Sequence, residues 1–247
     1  MAGSPSIVRL ASTPSTMDAL HALAEGGAPA GTAVVAAVQE AGRGSRGRSW
    51  ASPSGGLWLS VLGRPTVAAL ELLSLRAGLA VVEVLEGLGA GGRLALKWPN
   101  DLMLDDRKCG GILCEARWHG AEPAWVAIGL GLNVTNAIPV ALASTASRLA
   151  DAVPGLTPEA LVEPVVEALR RVDSAAAPLD AAEWAGFARR DWLRGRALAA
   201  PLAGTVLGVA TDGALLVRAA DGTTAAVRSG TVALAETSAS ADLGSCS

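Results

Sequence analysis

Residues 32–50 read T-A-V-V-A-A-V and then Q-E-A-G-R-G-S-R-G-R-S-W. The first seven are β-branched or small and apolar, the pattern of a buried strand. From Gly42 to Arg48 the chain holds three glycines and three arginines. Glycine spacing lets backbone N–H groups approach a ligand closely. The guanidinium groups of Arg43, Arg46 and Arg48 suit carboxylate or phosphate oxygens. A strand that ends in such a loop points to an anionic ligand.

Outward from this loop, helices and strands intermix. Ser15 or Thr16 caps a helix over M-D-A-L-H-A-L-A, with Asp18 in its first turn and Gly26-Gly27 as its stop. Residues 56–62 predict a second strand, and residues 67–88 one long helix buried on most sides. Residues 94–98 and 111–118 predict strands joined by a turn at D-D-R-K, residues 105–108. Residues 125–134, W-V-A-I-G-L-G-L-N-V, predict a strand whose glycines allow something to approach the backbone closely. Thr157-Pro158 opens a helix that Pro164 should kink or split, and residues 180–193 predict another. Beyond Arg194, short β runs separated by Asp212-Gly213 and Asp221-Gly222 read as hairpins of a small β module. The expected organisation is a catalytic domain over residues 1–193, a β module over 194–236 and a disordered tail over 237–247.

Composition excludes several classes. The 247 residues are 51% hydrophobic with net charge −3, enough for a buried core and unsuited to general nucleic-acid binding. No apolar run reaches the about 18–20 residues of a membrane span, and the N-terminus lacks a leader pattern, so a cytoplasmic location is expected. Cys109, Cys114 and Cys246, with only His21 and His119, show no zinc spacing, so neither disulfides nor a protein metal site is expected. Both histidines are read as surface residues, the two strand cysteines as small buried hydrophobes, and Trp58, Trp98, Trp118 and Trp125 as sheet packing.

Five strings occur in order: S-T-M-D from Ser15, the Gly/Arg loop, K-W-P-N-D-L from Lys97, R-K-C-G-G-I-L from Arg107 and I-G-L-G-L-N from Ile128. Together they resemble the biotin protein ligase family, over roughly residues 8–234. The resemblance implies an α+β catalytic domain, a mixed sheet flanked by helices like that of class II aminoacyl-tRNA synthetases, followed by an SH3-like β-barrel. With Ser15 so near Met1, it implies the monofunctional class, without the DNA-binding domain some relatives carry. It also implies that biotin and ATP, with Mg²⁺, give biotinyl-5′-AMP, which is passed to a lysine of the biotin carboxyl carrier domain of acyl-CoA carboxylases. A homodimer is left open.

By the same resemblance Lys108, Arg43 and Asp101 are the catalytic candidates, Lys108 bridging biotin carboxylate and α-phosphate. Ser15, Thr16, Met17, Gln39, Gly42, Arg43, Gly44, Ser45, Lys108, Gly111 and Leu113 are expected at biotin, the loop glycines supplying flexibility. Arg43, Arg46, Arg48, Trp50, Asn100, Lys108 and Asn133 are expected at ATP, with Arg218 and Arg228 as weaker candidates. Lys97 is left open between a binding role and a strand-end charge. Ser45 stands where the family usually has an arginine, so weaker retention of biotinyl-AMP is expected, with Arg46 partly compensating. A lipoate or octanoate ligase, which shares the catalytic fold, is the nearest alternative; a non-catalytic binding module is the other.

Overall fold

The computed structural model describes residues 4–172 and 178–235. The expected tail lies outside the described residues. A βαβ unit opens the chain: β1 (Ile7–Thr13), α1 (Thr16–Glu25) and β2 (Ala33–Gln39), with β1 and β2 parallel. β3 (Leu57–Gly63) follows the Gly/Arg loop. Next come α2 (Val67–Leu70), α3 (Leu73–Leu85), β4 (Leu94–Lys97), β5 (Asp101–Leu104), β6 (Arg107–His119) and β7 (Glu122–Leu132). These strands form one mixed sheet in the order β1-β2-β3-β7-β6-β5-β4, antiparallel except at β1/β2. The helices α4 (Pro158–Arg170) and α5 (Ala181–Ala188) complete this part.

Strand alternation assigns the two faces. On β7, Val126, Ile128, Leu130 and Leu132 join the main core with α3 and α4, as do Leu57, Leu59 and Val61 of β3. Ala127 faces the other way, into a smaller cluster with Met17, Leu20 and Ala24 of α1. Gly129 and Gly131 share that second face, and so do Gly111 and Leu113 of β6.

Several expectations are corrected. The long helix is interrupted at Glu71–Leu72, where Leu72 packs against the Gly213 turn of the second sheet. β5 was missed, and Arg107 and Lys108 belong to β6 rather than to the turn, which is only Asp105-Asp106, both in the left-handed region. α4 runs unsplit through Pro164: one backbone bond is lost, while Leu161, Val162, Val165, Val166 and Leu169 stay buried on its inner face. His21 is only 4% exposed, because it shares the inner face of α1 with Met17 and Leu20. Trp118, expected to pack the sheet, is 53% exposed near the tip of the β6–β7 hairpin.

The C-terminal sheet contains β8 (Ala197–Ala200), β9 (Gly204–Val209), β10 (Leu215–Arg218), β11 (Thr224–Val227) and β12 (Ala233–Leu234), in the order β11-β10-β9-β8-β12. The expected barrel is not closed: among the described residues no ladder joins β11 to β12. The segment between them is engaged elsewhere, Arg228 on Asp212 and Thr231 on Arg46. The connection into this sheet is itself paired. Leu96 N–H donates to Arg190 O (2.7 Å) and Trp192 N–H to Leu96 O (2.9 Å), while Gly195 N–H donates to Val206 O (2.9 Å) and Val206 N–H to Arg196 O (3.0 Å).

Candidate active site

The Gly/Arg loop is a hairpin. Gln39 N–H donates to Ser52 O (3.0 Å), Trp50 N–H to Gly42 O (2.8 Å) and Gly44 N–H to Arg48 O (2.7 Å). A Cβ on Gly42 would lie 2.5 Å from both Ser52 Oγ and Trp50 O, so this glycine serves close strand approach rather than flexibility. Arg46 and Gly47 make the tip in the left-handed region.

The hairpin covers a cavity of about 290 Å³ on the α1 face of the sheet. Of the residues expected at biotin, Ser15, Thr16, Met17, Gln39, Arg43, Gly44, Ser45, Lys108, Gly111 and Leu113 line it and Gly42 does not; Arg48, Trp50 and Asn100, expected at ATP, line it too. Because Gly129 and Gly131 lack side chains, its floor reaches Leu59, Ile112 and Leu130 of the layer beneath. The same two glycines admit neighbours: a Cβ would come within 2.9 Å of Met17 Sδ at Gly129 and 2.7 Å of Trp50 Nε1 at Gly131.

One wall is polar. Ser15 caps α1 by accepting from Met17 N–H. Gln39 Oε1 accepts from Thr16 N–H (2.9 Å) and Oγ1 (3.1 Å), Gln39 Nε2 donates to Ser52 Oγ (2.9 Å), and Thr16 Oγ1 lies 2.8 Å from Ser60 Oγ. This fixes the orientation of the Gln39 amide. Asn100 donates to Ile112 O (2.6 Å).

A second cavity of about 360 Å³ adjoins the first and shares Ser49, Trp50, Lys108 and Leu142 with it. Asp101 and Asn133 line it. Lys108 Nζ sits at the junction, 2.5 Å from Asp101 Oδ1 and 5.1 Å from the Trp50 ring centroid. Trp50 Nε1 is buried without a hydrogen-bond partner among the described residues. Asn136 Nδ2 donates to Asn133 Oδ1 (3.1 Å) and braces it.

Lys97, left open by the sequence, points into this second cavity, 5.1 Å from the Trp192 ring centroid, and burial pushes its ammonium pKa down. Sequence reading missed Trp192, Asp106, Met103 and Asn136, which also line it. For Asn136 the N-V-T-N spacing was a usable signal; Trp192 arrives only through the pairing of residues 190–192 with β4.

The arginines separate. Arg48 lines the first cavity and donates to Ser45 O (3.2 Å) and Oγ (2.9 Å). Arg46, expected to compensate for Ser45, lines neither cavity and instead hydrogen-bonds Thr231. Arg43 is held by Asp18 and Glu115. Arg218 and Arg228 line neither cavity. Burial pushes the Cys109 and Cys114 thiols up to about 12, so both are inert at neutral pH. Among the described residues, no group of three or more His, Cys, Asp or Glu side chains could hold a metal ion, and no helix is long and apolar enough to cross a membrane.

The model of the biotin/lipoate A/B protein ligases matches residues 10–133. The chain belongs to the biotin/lipoate A/B protein ligase family. That match spans the α1 cap, the hairpin, Lys97, Lys108 and Asn133 of this ligase-family site. The chain is 44% identical over 108 residues to the biotin–[acetyl-CoA-carboxylase] ligase of Paracoccus denitrificans, covering 42% of this chain and 45% of that protein. It is 40% identical over 144 residues to the bifunctional ligase/repressor BirA of Bacillus subtilis, covering 56% and 44% respectively. The alignments thus span less than half the length of these curated relatives. A structure of biotin protein ligase from Aquifex aeolicus in complex with biotin and ATP matches with a TM-score of 0.78 at 25% identity, covering 94% of this chain and 99% of that one. The ligase-family fold therefore extends well beyond the matched 124 residues into the C-terminal part.

Proposed function

We propose that this protein attaches biotin to a lysine of a biotin carboxyl carrier domain of an acyl-CoA carboxylase, using ATP and passing through biotinyl-5′-AMP. The observation that carries this reading is the pair of cavities meeting at Lys108 and Trp50. A two-part ligand, an acid in one compartment and a nucleotide in the other, places its reacting carboxylate and α-phosphate at that junction.

In the first step the biotin carboxylate attacks the α-phosphorus and pyrophosphate leaves. Two anions must meet, so fixed positive charge at the junction lowers the barrier. Lys108 and Arg48 supply it, and Lys97 faces the phosphates from the second cavity. In the second step the acceptor ε-amine attacks the mixed anhydride and AMP leaves. Asp101, 2.5 Å from Lys108, is the carboxylate proposed to orient that amine and take its proton. Biotin's ureido group suits the Ser15, Thr16 and Gln39 wall, where the second Gln39 Nε2 proton, the Ser15 hydroxyl proton and the remaining oxygen lone pairs can meet its carbonyl and N–H groups, contacts an alkyl chain cannot make. That wall disfavours the lipoate or octanoate reading. Trp50 and Trp192 are proposed to flank the nucleotide. With no carboxylate cage among the described residues, Mg²⁺ would enter on the phosphates and supply charge neutralisation there. The C-terminal sheet would play the part of the family's SH3-like module in open form.

Intact mass of a purified apo biotin carrier domain, incubated with this protein, Mg·ATP and biotin, tests the reading. One biotinyl increment, dependent on ATP and lost in Lys108→Ala, supports it. An increment with lipoate alone moves the assignment to the other branch of the family, and none with either acid refutes a ligase.

A further inference from the structure

Arg43 carries a load that the reaction scheme does not require. Its NH1 donates to Asp18 Oδ2 at 2.8 Å, its Nε to Glu115 Oε1 at 3.2 Å and its NH2 to Glu115 Oε2 at 3.2 Å. Asp18 first, and Glu115 after it, hold the guanidinium firmly charged, and Arg43 pulls the Asp18 carboxyl below its ordinary range. The two carboxylates stand side by side at the edge of the first cavity, one from α1 and one from β6. Asp18 follows Met17 on α1, and Glu115 lies two residues beyond Leu113 on the same face of β6. Arg43 itself comes from the hairpin, where it bridges to Ser49. One side chain that lines the cavity thus ties loop, helix and sheet together at its edge.

Turning this guanidinium towards a phosphate would break a bidentate pair and strand Glu115, only a quarter exposed and 3.5 Å from the buried His21. Arg48 and Lys108 face the cavity with no such double carboxylate clamp.

Building on the biotin reading above, we propose that Asp18 and Glu115 are positioning residues that fix Arg43 as a strap over the first cavity. The strap sets how long the acid and its adenylate stay, and the charge on Arg43 is spent on the protein's own carboxylates rather than on the phosphates. Neither carboxylate touches the reacting atoms. Their effect belongs in acid affinity and loop closure, not in the chemical step.

The test compares the full-length protein with Asp18→Asn, Glu115→Gln and the double variant. Thermal stability is measured first, then KM for biotin and for ATP, kcat, the biotin dissociation rate, and tryptic cleavage after Arg46 and Arg48. Loss of a partly exposed charge-assisted pair predicts about a five- to tenfold rise in biotin KM and dissociation rate. KM for ATP and kcat should stay within about twofold, since the clamp touches neither phosphate nor acceptor. Cleavage of the loop should quicken in the variants and slow again with saturating biotin. The inference is overturned if biotin KM is unchanged while only the melting temperature falls, which would make the clamp purely structural. It is equally overturned if the variants bind ATP more tightly or turn over faster, since Arg43 would then act on the phosphates once released. If the unaltered protein binds no biotin, the underlying reading fails and the inference with it; if it binds biotin and Glu115→Gln binds equally well, the inference alone fails.

Discussion

Gly131→Ala is the sharpest probe of the two-cavity junction. Gly131 pairs with Trp58 on one side and Gly111 on the other, so its backbone is held in the centre of the sheet. An added Cβ would lie 2.7 Å from Trp50 Nε1 and 3.0 Å from its Cε2. Ordinary contact is about 3.5 Å or more. The indole must therefore shift by roughly 0.5–0.8 Å, since the strand cannot. Overpacking of this kind costs about 1–3 kcal/mol, or roughly 2–12 °C in melting temperature for a chain of this size. The functional effect should be larger. Trp50 divides the cavities beneath Lys108, and a displacement near 1 Å at a reacting junction costs about a hundredfold in rate. Biotin-dependent ATP–pyrophosphate exchange should fall by about that factor. Gly87→Ala, where nothing lies within 4 Å of the added Cβ, should leave both readouts unchanged. Exchange within threefold of the unaltered protein and an unmoved melting temperature in Gly131→Ala would refute the placement of Trp50.

Trp192→Ala should raise KM for ATP by about tenfold and leave biotin affinity alone, because Trp192 lines only the second cavity; equilibrium binding of each ligand separates the two. Glu183→Gln removes the bidentate partner of Arg76 (2.7 and 3.1 Å), whose side chain is 2% exposed. A loss of about 2–3 kcal/mol, read as a melting temperature roughly 4–12 °C lower, is expected with KM values unchanged. Burial holds the His21 pKa below its ordinary 6.5, so on acidification the unfolded chain takes up this proton before the folded one does. The neutral-His21 contribution is complete above about pH 6.5 and declines as pH falls from there towards the folded value. His21→Gln should therefore show a smaller drop in melting temperature between about pH 7.5 and 5.5 than the natural protein.

Much of the first cavity was legible because its residues sit in short local strings. Ser15 caps its own helix, Lys108 is separated from the Gly110-Gly111 pair by Cys109 alone, and Gln39 opens the loop. The helix reading failed at His21 because a polar residue was taken to face solvent, although positions 17, 20, 21 and 24 form one buried stripe. β5 was missed because D-L-M-L is only four residues long and begins two residues after Pro99. The second cavity was read less well for a different reason. Lys97, Asp106 and Trp192 converge only when the chain after α5 pairs with β4, a contact across about a hundred residues that no local pattern encodes. The partners of the arginines were also beyond the sequence: three guanidinium groups in seven residues look alike, yet Arg43 is clamped by two carboxylates, Arg46 bonds Thr231 between β11 and β12, and Arg48 bonds Ser45 while lining the cavity.

The paired stretch at residues 190–196 changes how the chain can be divided. Its first half completes the open side of β4, and its second half starts the ladder with β9, so the two sheets share one run of backbone hydrogen bonds. A protein engineer looking for a seam would choose residue 193 from composition, and would be cutting through a weld. Severing it leaves an unpaired edge on each fragment, the surface from which strands recruit unwanted neighbours. A reporter or a second protein belongs instead at the Asp221-Gly222 turn, which is exposed and closes only a local hairpin.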